Sequence, residues 1–96
     1  MNILITGGAS GLGEAITRIL AKEKTNNVFF TYSNSSVKAK KIEGDFVNVN
    51  SIKCDFKNST DVTSLVNNIK NINIDVLINN AYSNNCITTY FHKIPN

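Results

Sequence analysis

Residues 5–16 read ITGGASGLGEAI and place four of the chain's five glycines, Gly7, Gly8, Gly11 and Gly13, within seven positions. Glycine this dense weakens a helix or a strand, because glycine loses more backbone freedom on folding than any other residue. The segment is therefore a loop, and it follows directly on the apolar run Ile3-Leu4-Ile5. On its far side Ala15, Ile16, Ile19 and Leu20 recur at helical spacing, with Glu14, Arg18, Lys22 and Lys24 opposite them. The pattern predicts a strand over 2–6 and a helix over 12–24, joined by bare backbone.

The rest of the chain alternates in the same way. A β-branched and aromatic run over 28–32 predicts a second strand, after a turn at Thr25-Asn26-Asn27. The serine-rich stretch 33–36 can cap a helix through 37–42 that Gly44 stops. A third strand falls within 46–54, diluted by Asn48, Asn50 and Ser51. Ser59 or Thr60 is expected to cap a third helix, whose Val62, Leu65, Val66 and Ile69 share one face. Asp61 stands in its first turn, where the helix dipole favours a negative charge. Residues 74–78 predict a fourth strand. The order β-α-β-α-β-α-β, with strand runs such as ILI, VFF and VLI apolar on both faces, implies a parallel α/β sheet with right-handed crossovers.

Composition narrows the function. Ninety-six residues with 42% hydrophobic content suit one core. The net charge of +3 is mild, and Lys22, Lys24, Lys38, Lys40 and Lys41 are scattered rather than gathered beside aromatics, so no nucleic-acid partner is expected. No segment approaches the roughly 20 apolar residues that span a bilayer. With Cys54 and Cys86, no CxxC and the single His92, there is no metal set. The thiols read as reduced cysteines of a cytoplasmic protein, and His92 as a surface or packing residue.

In a parallel α/β sheet, ligands bind beyond the carboxyl ends of the strands. A loop there that opens a helix presents N–H groups and the positive dipole end to phosphate. Gly7 would let the chain turn off the strand, Gly11 would let backbone approach a pyrophosphate, and Gly13 would let the helix pack close to the sheet. From Gly7 the pattern is G-x-x-x-G-x-G, and no lysine follows, which argues against a P-loop ATPase.

TGGASGLG (6–13) resembles the cofactor loop of the short-chain dehydrogenases/reductases, in the branch with TGxxxGxG. Three further stretches match that family in order and spacing: TYSNSS (31–36), KCDFKN (53–58) and IDVLINNAY (74–82). The resemblance covers about 1–82 and implies a Rossmann-like sheet of order 3-2-1-4 that binds a nicotinamide dinucleotide. It implies that Gly7, Ser10, Gly11, Leu12 and Gly13 cradle the pyrophosphate and adjoining ribose. Asp55 would bond the adenine amino group, with Phe56 supplying a backbone contact, although Asp55 alone also reads as a turn residue after a strand. Asn79 would tie the central strands together, while Asn80 and Ala81 line the nicotinamide ribose. Tyr82 replaces the glycine that usually ends this motif, and either crowds the nicotinamide or turns to solvent.

The end of the second strand carries Tyr32, Ser33, Asn34 and Ser35 but no acid to repel a 2′-phosphate, so NADP(H) is favoured over NAD(H) through Ser33 and Asn34. The family's proton donor is a Tyr-x-x-x-Lys pair assisted by a serine, in which lysine lowers a tyrosine pKa of about 10. Here Tyr32, Tyr82 and Tyr90 are followed four residues on by Ser36, Cys86 and Ile94, so no such pair exists in the 96 residues. The expectation is the N-terminal part of one NAD(P)-binding domain, ending after the fourth strand, from a homo-oligomeric reductase of a small carbonyl or alcohol. The alternative is a non-catalytic dinucleotide-binding module or a decayed gene fragment.

Overall fold

A computed structural model of the protein describes residues 1–80. Four parallel strands form one sheet: β1 (Asn2–Thr6), β2 (Asn27–Tyr32), β3 (Val49–Lys53) and β4 (Val76–Asn79), in the spatial order β3-β2-β1-β4. Helices α1 (Gly11–Ala21), α2 (Ser36–Asp45) and α3 (Ser59–Ile69) make the crossovers. The expected Rossmann-like order is therefore present. β1 lies at the centre, in register with β2 through Ile3 beside Val28 and with β4 through Ile3 beside Val76.

Consecutive apolar residues in β1 serve two cores, because successive side chains point to opposite faces. Ile3 and Ile5 join Val28, Phe30, Ala21, Ala39 and Ile42 beneath α1 and α2. Leu4 joins Cys54, Val62, Leu65 and Ile69 beneath α3. β4 departs from this pattern. It is an edge strand among the described residues, and Leu77 keeps 39% of its surface exposed.

Several boundaries differ from the sequence expectation, each for a local reason. α1 ends at Ala21 rather than at 24, because the amides of Lys22 and Glu23 tighten onto the carbonyls of Ile19 and Leu20. The Asn48 side-chain amide then takes up the carbonyls of Ala21 (3.0 Å), Glu23 (3.3 Å) and Asn26 (3.0 Å). The buried face of α1 is also rotated: Gly13, Thr17 and Ala21 are buried, Ile16 and Leu20 are half-buried against the core as expected, and Ala15 and Ile19 face outward. Small residues win that face because the first turns of the helix lie close against the glycine loop. Gly44 does not stop α2 but sits inside it, and the Ser35 N-cap makes no side-chain capping bond. Asn58, not Ser59 or Thr60, caps α3, its Oδ1 accepting from the amides of Thr60 (2.9 Å) and Asp61 (3.2 Å). β4 begins at Val76, since Asp75 is used in binding Asn2 at the foot of β1, and Ile74 packs on the α3 side.

Arg18 links the first two helices. Its guanidinium donates to Glu14 (2.9 Å) and Asp45 (2.8 Å) and stands 6.0 Å from the centre of the Phe46 ring. The bond from Arg18 holds the Asp45 carboxyl below its usual range.

Two substitutions test this account in urea unfolding. Gly44→Ala is expected to stabilise the chain by about 0.5 kcal/mol, since a methyl group there meets open space and a helical backbone. Asn48→Ala is expected to cost about 1–3 kcal/mol, by leaving the carbonyls at the end of α1 without their shared donor.

Candidate functional site

The glycine loop leaves β1 at its carboxyl end through two backbone conformations that side chains rarely adopt, with φ of 70° at Gly7 and 57° at Gly11. Between them the chain is pinned to β2. The Gly7 amide donates to the Thr31 hydroxyl (3.0 Å) and the Gly8 amide to the Thr31 carbonyl (3.0 Å). A Cβ at Gly8 would lie 2.5 Å from Cβ of Phe30 and 2.7 Å from the Thr17 hydroxyl. That hydroxyl, fully buried, is shared by the carbonyls of Gly13 (2.8 Å) and Gly8 (3.2 Å).

Gly13 permits a different contact from the one its spacing suggests. A Cβ there would collide with the Gly7 carbonyl oxygen and lie 2.6 Å from Nδ2 of Asn80. The close approach to the sheet is made by Gly8, while Gly13 makes room for the loop's own backbone. Asn80 completes the arrangement by donating from Nδ2 to the Gly7 carbonyl (3.1 Å). Its neighbour Asn79 accepts from the Thr6 hydroxyl (2.9 Å), and that hydroxyl accepts from the Asn80 amide (2.9 Å). Asn79 thus ties β1 to β4, and Asn80 ties β4 to the loop.

A cleft of about 250 Å³ opens beside the loop. Gly7, Thr31, Tyr32, Ser33 and Asn34 line it from one side, and Cys54, Asp55, Phe56 and Lys57 from the other. Asp55 is exposed and builds a turn: its Oδ1 accepts from the Lys57 amide (2.9 Å), and its carbonyl accepts from the Asn58 amide (2.9 Å). Phe56 is half-buried against the α3-side core. Burial, then the charges of Asp61 and Asp55, push the Cys54 thiol up to about 11, so it is protonated and inert at neutral pH.

Of the residues singled out from sequence, Gly7, Ser33, Asn34, Asp55 and Phe56 share this cleft. Ser10, Gly11, Leu12 and Gly13 form the opening of α1 instead, where Ser10 is the exposed N-cap and Leu12 is 66% exposed. Gly7 joins the two groups. Ala81 and Tyr82 lie outside the described residues, as do Cys86, Tyr90 and His92. Sequence reasoning missed Thr31, Thr17 and Lys57. A threonine in a strand or helix carries no local sign that its hydroxyl serves a distant loop, and Lys57 reads as a solvated charge.

The family model of the short chain dehydrogenases matches residues 1–93, and the chain belongs to that family. BdcA, solved in complex with NADPH, is 31% identical with a TM-score of 0.71, over 83% of this chain and 31% of its own. A double mutant of a Serratia marcescens short-chain dehydrogenase/reductase is 29% identical with a TM-score of 0.73, over 83% of this chain and 35% of its own. NADPH-bound carbonyl reductase from chicken fatty liver shares the fold at 20% identity, with a TM-score of 0.69, over 83% of this chain and 34% of its own. The chain therefore spans about a third of the length of these structures. No curated protein matches it.

The geometry gives two glycine substitutions different causes of cost. Gly13→Ala is expected to cost about 1–3 kcal/mol in urea unfolding, because backbone rather than a flexible side chain must move. Gly11→Ala meets nothing within 4 Å and is expected to cost only the left-handed backbone penalty of about 1–2 kcal/mol. In a Cys86→Ser background, Cys54 is expected to resist a disulfide reagent at pH 8 until urea unfolds the chain.

Proposed function

We propose that residues 1–96 are the N-terminal part of an NAD(P)-binding domain, from an oxidoreductase acting on a small carbonyl or alcohol. The observation that carries this reading is the clamped Gly7 turn, which joins the opening of α1 to a cleft ending at Asp55. The residues fit a dinucleotide. At Gly11 a positive φ and open space leave backbone and the N-terminus of α1 accessible to an anion. Gly7, Ser10, Gly11, Leu12 and Gly13 would hold the pyrophosphate there.

At the adenine end, one Asp55 oxygen already accepts from the Lys57 amide, so the carboxylate is oriented by its own turn. It would accept from the adenine amino group, beside the backbone of Phe56. Asn80, Ala81 and Tyr82 would face the nicotinamide end. A bound nicotinamide supplies hydride exchange with a carbonyl or alcohol carbon.

NADP(H) is favoured over NAD(H). Ser33 and Asn34 line the cleft at the end of β2 with no carboxylate among them, and Lys57 adds a cation to the opposite side. The NADPH bound in BdcA supports the same preference. The chain holds no Tyr-x-x-x-Lys pair, so binding without turnover is the activity proposed for these residues alone.

Titration of the 96-residue chain with NADPH and NADH, followed by nucleotide fluorescence, is expected to show tighter binding of NADPH. Ser33→Asp should weaken NADPH about tenfold or more, by placing a carboxylate against the 2′-phosphate, and leave NADH bound. Absence of binding to either nucleotide by the folded chain would sink the reading. Measurable carbonyl reduction by the chain alone would overturn the account of its missing proton donor.

A further inference from the structure

We infer that Thr31 is a positioning residue for the dinucleotide pyrophosphate, acting through the Gly7 turn that it holds; the inference rests on the nucleotide reading of the site. With φ at 70°, Gly7 is turned out of the ordinary strand conformation, and its amide needs an acceptor. The acceptor is the Thr31 hydroxyl at 3.0 Å, and the next amide, of Gly8, uses the carbonyl of the same residue at 3.0 Å. One fully buried residue at the end of β2 thus receives two successive amides of the loop.

The next peptide unit, Gly7–Gly8, gives its amide to the Thr31 carbonyl and accepts from Asn80 at the Gly7 carbonyl. Gly7 is therefore gripped from both neighbouring strands, and Thr31 supplies the grip on the β2 side. Thr31 also lines the cleft next to Ser33 and Asn34, so the residue that aims the loop borders the nucleotide's path. Removing only the hydroxyl leaves the amide of the Thr6–Gly7 peptide without its partner and loosens the start of the turn. The strand itself should persist, because valine matches threonine in shape and favours strands.

The test compares Thr31→Val and Thr31→Ser with the unaltered 96-residue chain, by NMR titration with NADPH, ADP and adenosine. Thr31→Val is expected to bind NADPH and ADP about tenfold more weakly while adenosine, which lacks the pyrophosphate, binds as before. Thr31→Ser, which keeps the hydroxyl, should restore NADPH and ADP binding to within about twofold. Equal binding of ADP by the Thr31→Val chain would overturn the inference, as would a parallel loss of adenosine.

Amide exchange without ligand gives a second reading. In Thr31→Val the Gly7 amide is expected to exchange faster, while Leu4 and Val28 stay protected. Uniform acceleration across the sheet would mark Thr31 as a stability residue only and overturn the inference. An unaltered chain that binds no NADPH would bring down the nucleotide reading itself. A chain that binds NADPH regardless of the Thr31 hydroxyl would remove only this proposal.

Discussion

The contact between the Gly7 carbonyl and the backbone of Gly13 governs the carboxyl edge of the sheet. It brings the loop back against the first turn of its own helix, at a distance that no side chain on residue 13 would permit. With that contact go the position of the α1 N-terminus and the placing of the Gly7 carbonyl that Asn80 reaches from β4. The Thr17 hydroxyl, bonded to carbonyls of both the loop and the helix, fixes the same geometry from below. The loop is therefore a packed part of the fold.

The opposite end of the sheet is organised by asparagine. Asn48 and Asn26 gather the carbonyls where α1 stops, and Asn2 joins Asn27 and Asn73. A short amide side chain suits these places, since it offers donor and acceptor within reach of backbone ends. Asn48, which dilutes the pattern of the third strand, is thus the residue that closes the end of α1. Membership of the short chain dehydrogenase family accounts for the shape of the sheet, and these amides account for how this chain closes its corners.

Element order and strand parallelism were legible because periodicity and run length are local properties. The second strand and its aromatic run, the apolar face of α3 and the glycine loop all stand where the pattern puts them. The rotated face of α1 was not legible. Hydrophobicity marks Ile19 as a core residue, yet at 64% exposure it lies outside, because the closest approach selects Gly13, Thr17 and Ala21. Burial follows distance to the sheet, and distance is set by a loop contact that no helical pattern records.

By itself the sequence determined that a strand, a bare loop and a helix follow one another, and that strands and helices then alternate into a parallel sheet. Those features depend on neighbours a few residues apart, through backbone freedom, side-chain period and capping. The tertiary structure decided which glycine meets the sheet and which meets the loop, assigning Gly8 to the first and Gly13 to the second. It also brought Thr31 and Asn80 to opposite sides of Gly7, although they stand 24 and 73 positions away along the chain. Separations of that size are closed only by strand pairing, and a hydroxyl's role at the site exists only once the strands have paired.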